Sequence, residues 1–171
     1  MAAKTGTYTL IASNTLGSAA ASVTFSSIPG TYTDLVLVIT GKGTGGDGDT
    51  NLYLQFNGDT GSNYSATRIK GDGSSATSAR ITSQTSIASN PAWYLRSSTD
   101  YVGIINIQDY SNSSTYKTVL SRHNNNGQAV LAEVGLWRST SAITSVVAST
   151  GPNNFATGST FKLYGIEAGN L

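Results

Sequence analysis

Asp34-Leu-Val-Leu-Val-Ile-Thr40 places five apolar side chains in succession between two polar residues. Strands that are buried on both faces have such continuous apolar runs rather than alternating ones. We therefore predict a central β-strand over 34–40. Farther along the chain, Leu52-Tyr-Leu-Gln-Phe56 alternates strongly apolar with more polar side chains, as is typical of a strand with one dry face.

Other short apolar runs are bounded by turn residues and also predict strands. Together with the first two they give about ten strands, over 7–12, 21–25, 34–40, 52–56, 81–87, 101–108, 116–122, 130–137, 143–148 and 160–166. The stretch 71–86 is rich in Ser, Ala and Thr, and it is either a long surface loop or a weak edge strand.

The composition fits an all-β chain. Ser, Thr, Asn and Gly account for 79 of the 171 residues, and these residue types disfavour helix interiors. The Asn126-Gly127 pair, between two apolar runs, is a strong hairpin signal, and Asn57-Gly58-Asp59 and Gly151-Pro152-Asn153-Asn154 also indicate turns. We predict one antiparallel β-sandwich of the jelly-roll kind over 1–171, with 1–6 as a short N-terminal arm.

Composition also excludes several classes of site. The chain has no Cys, so disulfides, thiolate nucleophiles and Cys-based metal sites are excluded. Ten Lys and Arg against nine Asp and Glu give a net charge of +1, which argues against a protein that mainly neutralises nucleic-acid phosphate or an anionic membrane.

Two loop patterns resemble ligand-binding motifs. Gly41-Lys-Gly-Thr-Gly-Gly46 matches the spacing of a phosphate-binding loop, but a strand rather than a helix is predicted next, which favours an ordinary loop. Asp47 and Asp49 begin like a calcium loop, yet the later glycine and glutamate of an EF-hand are missing. A weak calcium site at these residues, with Asp59 as a further oxygen donor, is left open, and no metal site is predicted.

Catalytic groups are scarce. The single histidine, His123, has no recognisable nucleophile motif, which favours a polar residue at a turn. Glu133 and Glu167 have no local partner, so a glycosidase-type carboxylate pair is not indicated. We therefore predict no catalytic residue, no cofactor and no enzymatic activity.

Tyr and Trp are more informative, because they combine a large contact area with a polar edge and suit protein interfaces or sugar stacking. Several of them flank predicted loops: Trp93, Tyr94, Tyr101, Tyr110, Tyr116 and Trp137. Some of these side chains are expected to bind a partner, while others close the ends of the sandwich.

Three ordered segments resemble a known family. They are Tyr8-Thr-Leu-Ile-Ala-Ser-Asn-Thr-Leu-Gly-Ser-Ala with Ile28-Pro-Gly-Thr-Tyr-Thr-Asp-Leu, then Leu54-Gln-Phe-Asn-Gly-Asp-Thr-Gly-Ser-Asn-Tyr-Ser, and finally Gly135-Leu-Trp with Phe161-Lys-Leu-Tyr-Gly-Ile. In this order they resemble small virion structural proteins of tailed bacteriophages, frequent in aquatic phages and cyanophages. Members of that family are described as capsid decoration (cement) proteins, tail-fibre proteins or structural proteins.

The resemblance implies a role as a capsid decoration protein on the virion exterior, forming a homotrimer that bridges subunits of the major capsid protein. The chain is short and shows no coiled coil or repeat for a fibre shaft, which favours this position. The alternative is a tail-fibre module that recognises host surface glycans. Neither nucleic acid nor a membrane is an expected partner.

Overall fold

The computed structural model describes residues 7–46, 50–87, 94–124 and 129–167. Every regular element within these ranges is a β-strand, so the prediction of an all-β fold is confirmed. The same residues contain no helix of the length and apolarity needed to cross a membrane. The predicted N-terminal arm, 1–6, lies outside the described residues.

Twelve strands are present in the described ranges, two more than the sequence predicts. Their bounds are β1 (Tyr8–Thr15), β2 (Ser22–Phe25), β3 (Asp34–Gly41), β4 (Thr50–Phe56), β5 (Tyr64–Gly71), β6 (Ala76–Gln84), β7 (Tyr94–Leu95), β8 (Tyr101–Ile107), β9 (Lys117–Asn124), β10 (Val130–Trp137), β11 (Val146–Pro152) and β12 (Thr160–Ile166).

The strands form two antiparallel sheets. The large sheet has eight strands in the order β1-β12-β3-β8-β9-β10-β5-β6, and the small sheet has four in the order β2-β11-β4-β7. If the hairpins β5–β6 and β9–β10 are set aside, the remaining eight strands have the connectivity of a jelly roll, four strands in each sheet. The two hairpins are insertions that extend the large sheet beyond β8.

The apolar run at 34–40 forms β3, which is a central strand as predicted. β3 is an interior strand, paired with β12 on one side and β8 on the other. Leu35, Leu37 and Ile39 point into the sandwich and are fully buried, while Val36 on the opposite face is only 3% exposed. The continuous apolar run therefore corresponds to a strand that is dry on its inner face and largely covered on the other.

Ile87 connects the two sheets. Its backbone exchanges two hydrogen bonds with Leu54 of the small sheet, with N–O distances of 2.9 and 3.1 Å. Its side chain lies on Gly135 of β10, where an added Cβ would come within 2.7 Å of an Ile87 methyl carbon. The close approach of the two layers at this point therefore depends on a residue without a side chain.

An aromatic group fills the adjacent part of the core. Tyr64 stacks on Trp137 with ring centroids 6.3 Å apart, and Phe56 of the small sheet lies 5.5 Å from Trp137. The Trp137 indole donates a hydrogen bond to the Asp59 carboxylate at 2.7 Å, and the Tyr64 hydroxyl accepts one from the Phe56 amide. Each polar group that these rings bring into the core thus has a partner.

The strand predictions fail in identifiable places. β5 was missed because Tyr64–Gly71 mixes Ser, Thr, Arg and Lys with few apolar residues. β7 was missed because it has only two residues. Most of the stretch 71–86 is an edge strand rather than a loop, and this strand, β6 (Ala76–Gln84), begins earlier than the predicted 81–87. Its nearly continuous exposure explains why it carries no apolar alternation.

The turn predictions are confirmed in part. Asn57 and Gly58 both have positive φ, and the Asp59 amide donates to the Phe56 carbonyl, which closes a tight turn after β4. β9 and β10 are paired up to Asn124 and Val130, as the predicted hairpin requires, although its tip at 125–128 lies outside the described residues. In contrast, Gly151 and Pro152 are the last residues of β11 rather than part of a turn.

Gly135→Ala is expected to lower the free energy of unfolding by about 1–3 kcal/mol, because the new methyl group must displace the fully buried Ile87. Gly17→Ala is the matched control: no atom lies within 4 Å of its added Cβ, so it should stay within about 0.5 kcal/mol of the wild type. Urea unfolding of both variants measures the difference, and equal stabilities would contradict the proposed contact.

Candidate functional site

The inserted hairpins give the large sheet an unusual outer face. Side chains alternate between the two faces of a strand, and in β8, β9 and β10 the inward positions are buried. When another layer covers only one face of a sheet, the residues on the opposite face are normally polar, because they face water. Here many of them are apolar.

We call these outward apolar residues the outer band. They lie on four neighbouring strands, β8, β9, β10 and β5, and no other described layer covers them. The band consists of Val102, Ile104, Leu120, Val130, Ala132, Val134 and Ile69. Val130 is 72% exposed, Ile69 62% and Val134 51%, so the band is open to water rather than hidden within the chain.

Arg122 lies in the middle of the outer band. Strand register places it beside Ile104 of β8 on one side and Ala132 of β10 on the other. Its side chain is exposed. An arginine surrounded by aliphatic side chains is a common anchor in protein interfaces, because its guanidinium group forms paired hydrogen bonds and its stem packs on apolar surface.

Two shallow hollows follow the outer band toward the ends of the strands. One, of about 420 Å³, is lined by Val102 and Ile104 of β8, by residues 122–124 of β9 and by Val130 of β10. The other, of about 320 Å³, lies between β10 and the β5–β6 hairpin, beside Ile69. Both are lined by Val130, so the surface is ridged rather than flat, with this residue between the hollows.

A second group of residues lies on the inner face of the same strands, and we call it the inner polar cluster. It contains Arg68, Tyr101, Ser121, His123 and Glu133. Glu133 is paired in register with Arg68 of β5 and Ser121 of β9. The His123 ring lies 5.5 Å from the ring of Tyr101. Glu133 is 2% exposed, and its Oε1 has no hydrogen-bond partner among the described residues.

Burial governs the protonation of this cluster. It raises the pKa of Glu133 to about 7, although the positive charge of Arg68 opposes the shift. Burial lowers the pKa of His123 to about 4, so the imidazole is neutral near pH 7. It also raises the pKa of Tyr101, and the neighbouring Glu133 adds to that shift. At mildly acidic pH Glu133, His123 and Tyr101 are therefore neutral beside the charged Arg68, and Glu133 gains a buried negative charge as the pH rises.

Lys117, at the start of β9, is another buried titratable group. Its Nζ donates to the carbonyl oxygens of Thr115 at 2.7 Å and Thr140 at 3.2 Å. Burial lowers its pKa, and Asp109 opposes this shift. These contacts connect two loops to the end of the strand, which gives the buried lysine a structural role.

The prediction for His123 is wrong. The residue is not at a turn but within β9, on the inner face, and only 7% exposed. The sequence indicated a turn because His123 precedes three asparagines, and the alternation Val119, Ser121, His123 was not recognised as an inward face. Arg68 lies 55 positions before His123 in the chain and two strands away from it in the sheet. A single sequence does not show that these two residues are close in space.

Glu133 and Glu167 are far apart in the large sheet and do not form a carboxylate pair. Glu133 is in β10, whereas Glu167 follows β12, four strands away in the large sheet. At the usual spacing between strands this separates them by roughly 19 Å. Glu167 instead accepts a hydrogen bond from Thr9 at the other edge of the sheet.

The loop motifs carry no ligand site in the described residues. Asp47 and Asp49, of the possible calcium site, lie outside these residues. The Asp59 carboxylate accepts hydrogen bonds from Trp137, Asn63 and the Gly61 amide, so its oxygens already have partners. No group of three or more potential metal ligands occurs in the described part of the chain. The glycine-rich segment at 41–46 joins β3 to β4, with no helix between 41 and 46.

The aromatic residues considered for partner binding are partly buried in the core and partly exposed. Tyr101, Tyr110 and Trp137 are fully or almost fully buried in the core. Tyr116 is 55% exposed, and Tyr94 is partly buried. Trp93 lies outside the described residues. The exposed surface that was not predicted is aliphatic. The valines and isoleucines at alternate positions of β8 and β10 are the sequence pattern that could have indicated it.

Comparison with known proteins adds little to the geometry. No protein-family model matches the sequence. No curated protein matches it either. Among solved structures, the chain is similar to the alginate lyase Aly36B, with 10% identity, a TM-score of 0.38, and coverage of 90% of this chain and 77% of the lyase. It is also similar to a protein of unknown function from Shewanella oneidensis MR-1, with 10% identity, a TM-score of 0.28, and coverage of 98% and 79%.

The first of these neighbours is an enzyme, and it contradicts the prediction that this protein has no enzymatic activity. That prediction is therefore withdrawn. With a TM-score below 0.5 the likeness carries no argument for a particular reaction, and the substrate named for the lyase is not transferred to this chain.

Replacing Glu133 with Gln is expected to reduce the pH dependence of stability. The unfolded carboxyl ionises near pH 4.5, whereas the folded one keeps its proton up to about pH 7. Wild-type stability should therefore fall as the pH rises through this interval, by on the order of 2 kcal/mol relative to the variant. Urea unfolding at pH 5 and pH 8 measures this change. His123 is common to both proteins, so its titration cancels, and parallel pH profiles would contradict the assignment.

Proposed function

We propose that this protein is a structural component of a tailed-phage virion, and that it binds the capsid exterior as a decoration protein. The observation that carries the proposal is the outer band, with Val130, Ile69 and Val134 more than half exposed. Contiguous apolar surface of this kind on a water-soluble domain is typical of a protein–protein interface. The ordered segments that resemble virion structural proteins supply the context for such an interface.

The fold is compatible with this role. In a β-sandwich the inner faces stabilise the subunit, so the outer face of the large sheet is free to contact another protein. Under the proposal, the outer band rests on the major capsid protein, while other surfaces of the subunit contact neighbouring copies in a trimer. Three linked contacts would retain the subunit much more strongly than one, through a high effective concentration.

A glycan-binding module at a fibre tip is the second candidate, and it has less support. Sugar-binding surfaces of this type rely on exposed aromatic rings. Tyr116 and Tyr8 are more than half exposed, but they lie on different parts of the fold, in the loop before β9 and in the edge strand β1. Tyr101, Tyr110 and Trp137 are in the core and cannot stack on a sugar.

The double variant Val130→Asp/Val134→Asp is expected to bind expanded capsids at least about tenfold more weakly than the wild type, because two uncompensated carboxylates would be buried at the contact. Both side chains are exposed, so folding should be unaffected. The matched control is Ser22→Asp/Thr24→Asp, at two exposed outward positions of β2 in the small sheet, which should bind like the wild type. Capsids that lack the protein are incubated with each variant, and bound protein is quantified after sedimentation.

The same proteins are incubated with host cells. If the wild type does not bind capsids but binds host cells saturably, the decoration role is wrong and the glycan-binding role is favoured. If both double variants bind capsids like the wild type, the outer band is not the capsid-binding surface.

A further inference from the structure

We propose that the outer band recognises a protein surface that combines apolar side chains with carboxylates, and that Arg122 forms the central ion pair of this contact. The inference concerns the partner's chemistry and rests on the proposed docking role of the band. It follows from the distribution of charge over the outer face.

The outward positions of the four band strands and of the adjoining β6 contain two cations and no anion. Alternation assigns Arg122 of β9 and Arg80 of β6 to the outer face, and both are exposed. Glu133 is the one acidic residue within β8, β9, β10, β5 and β6, and it points inward. The outward positions of these five strands thus carry two positive charges and no negative one.

The carboxylates of Asp72 and Asp100 lie in connections beside these strands, and neither residue belongs to a strand of the band. Asp72 lies in the β5–β6 turn, where its Oδ1 accepts hydrogen bonds from the Ser74 and Ser75 amides at 3.0 and 2.8 Å. These hydrogen bonds also keep the pKa of Asp72 below its ordinary value. Asp100 precedes β8 and lies beyond the end of the strand. No acidic side chain of a described residue in this sheet is therefore placed beside Arg122 by the register.

This charge pattern argues against a second copy of the chain as the occupant. If two outer bands met face to face around a two-fold axis, Arg122 of one subunit would approach Arg122 of the other within an apolar surface. Like charges placed together in an interface weaken binding. A different protein surface with a carboxylate opposite Arg122 would instead gain a paired hydrogen-bonded contact. The hollows on either side of Val130 would accept its apolar side chains.

Arg122→Gln tests the ion pair, with Arg138→Gln as the matched control. Both substitutions remove one positive charge, and Arg138 lies just beyond the far end of β10, where it donates to the Ser62 carbonyl. Arg122→Gln should bind capsids at least tenfold more weakly than the wild type, with a smaller dependence on salt, whereas Arg138→Gln should stay within twofold. Equal binding of both variants would overturn the inference and leave capsid docking intact.

A second measurement does not depend on capsids. The proteins are passed over a matrix that carries phenyl rings together with carboxylates, and over matrices that carry only one of these groups. The wild type and Arg138→Gln should be retained on the mixed matrix at higher salt than Arg122→Gln. If the two variants elute together, the inference is wrong. If Arg122-dependent retention is found but no capsid binding, the partner's chemistry is supported and the capsid role is not.

Sedimentation equilibrium provides the remaining control. The proposal expects the self-association of the protein, whatever its extent, to be the same for the wild type and for Arg122→Gln. A variant that self-associates more strongly once the like charges are removed would identify a second copy as the occupant of the band, and would overturn the inference.

Discussion

The large sheet has two faces, and the described part of the chain covers only one of them with a second layer. The small sheet and the Ile87 segment cover the inner face of the large sheet, which fixes Leu35, Leu37 and Ile39 in the core. Strict alternation then sends every other side chain outward. For β3 the outward residues are largely covered, but for β8 and β10 they are not. The exposed apolar surface is thus a consequence of strands that are apolar on both faces in a sheet that is covered on one.

The two inserted hairpins determine where that surface lies. A jelly roll of eight strands would end its larger sheet at β8. β9, β10, β5 and β6 continue it, and their inner faces must accommodate the polar groups Arg68, Ser121, His123 and Glu133. β9, β10 and β5 thus carry buried polar groups on the inner face beside exposed apolar residues on the outer face. Most residues of the outer band and of the inner polar cluster belong to these insertions, while Val102, Ile104 and Tyr101 lie on the neighbouring β8.

The sequence predicts the fold better than it predicts the sites. Long strands with strong apolar patterns, such as 34–40 and 130–137, were found within one residue of their observed bounds. β5 was missed because its inward face carries Arg68 and its apolar residues are sparse, so no period of two was visible. The sites depend on contacts between distant segments, since paired residues of β5 and β10 are neighbours in space but 59 to 73 positions apart in the chain. Local patterns contain no information about such pairings.

The pairing of β10 with β5 has a consequence for assembly. Each inserted hairpin is local in sequence, and each can close before the other has formed. The ridge at Val130 and the hollow beside Ile69, however, exist only after the two hairpins have joined along eight paired residues. A subunit in which they have not met would lack a continuous contact surface. Docking through this surface would therefore select completely folded subunits, so that incorporation into a larger structure would itself serve as a check on folding.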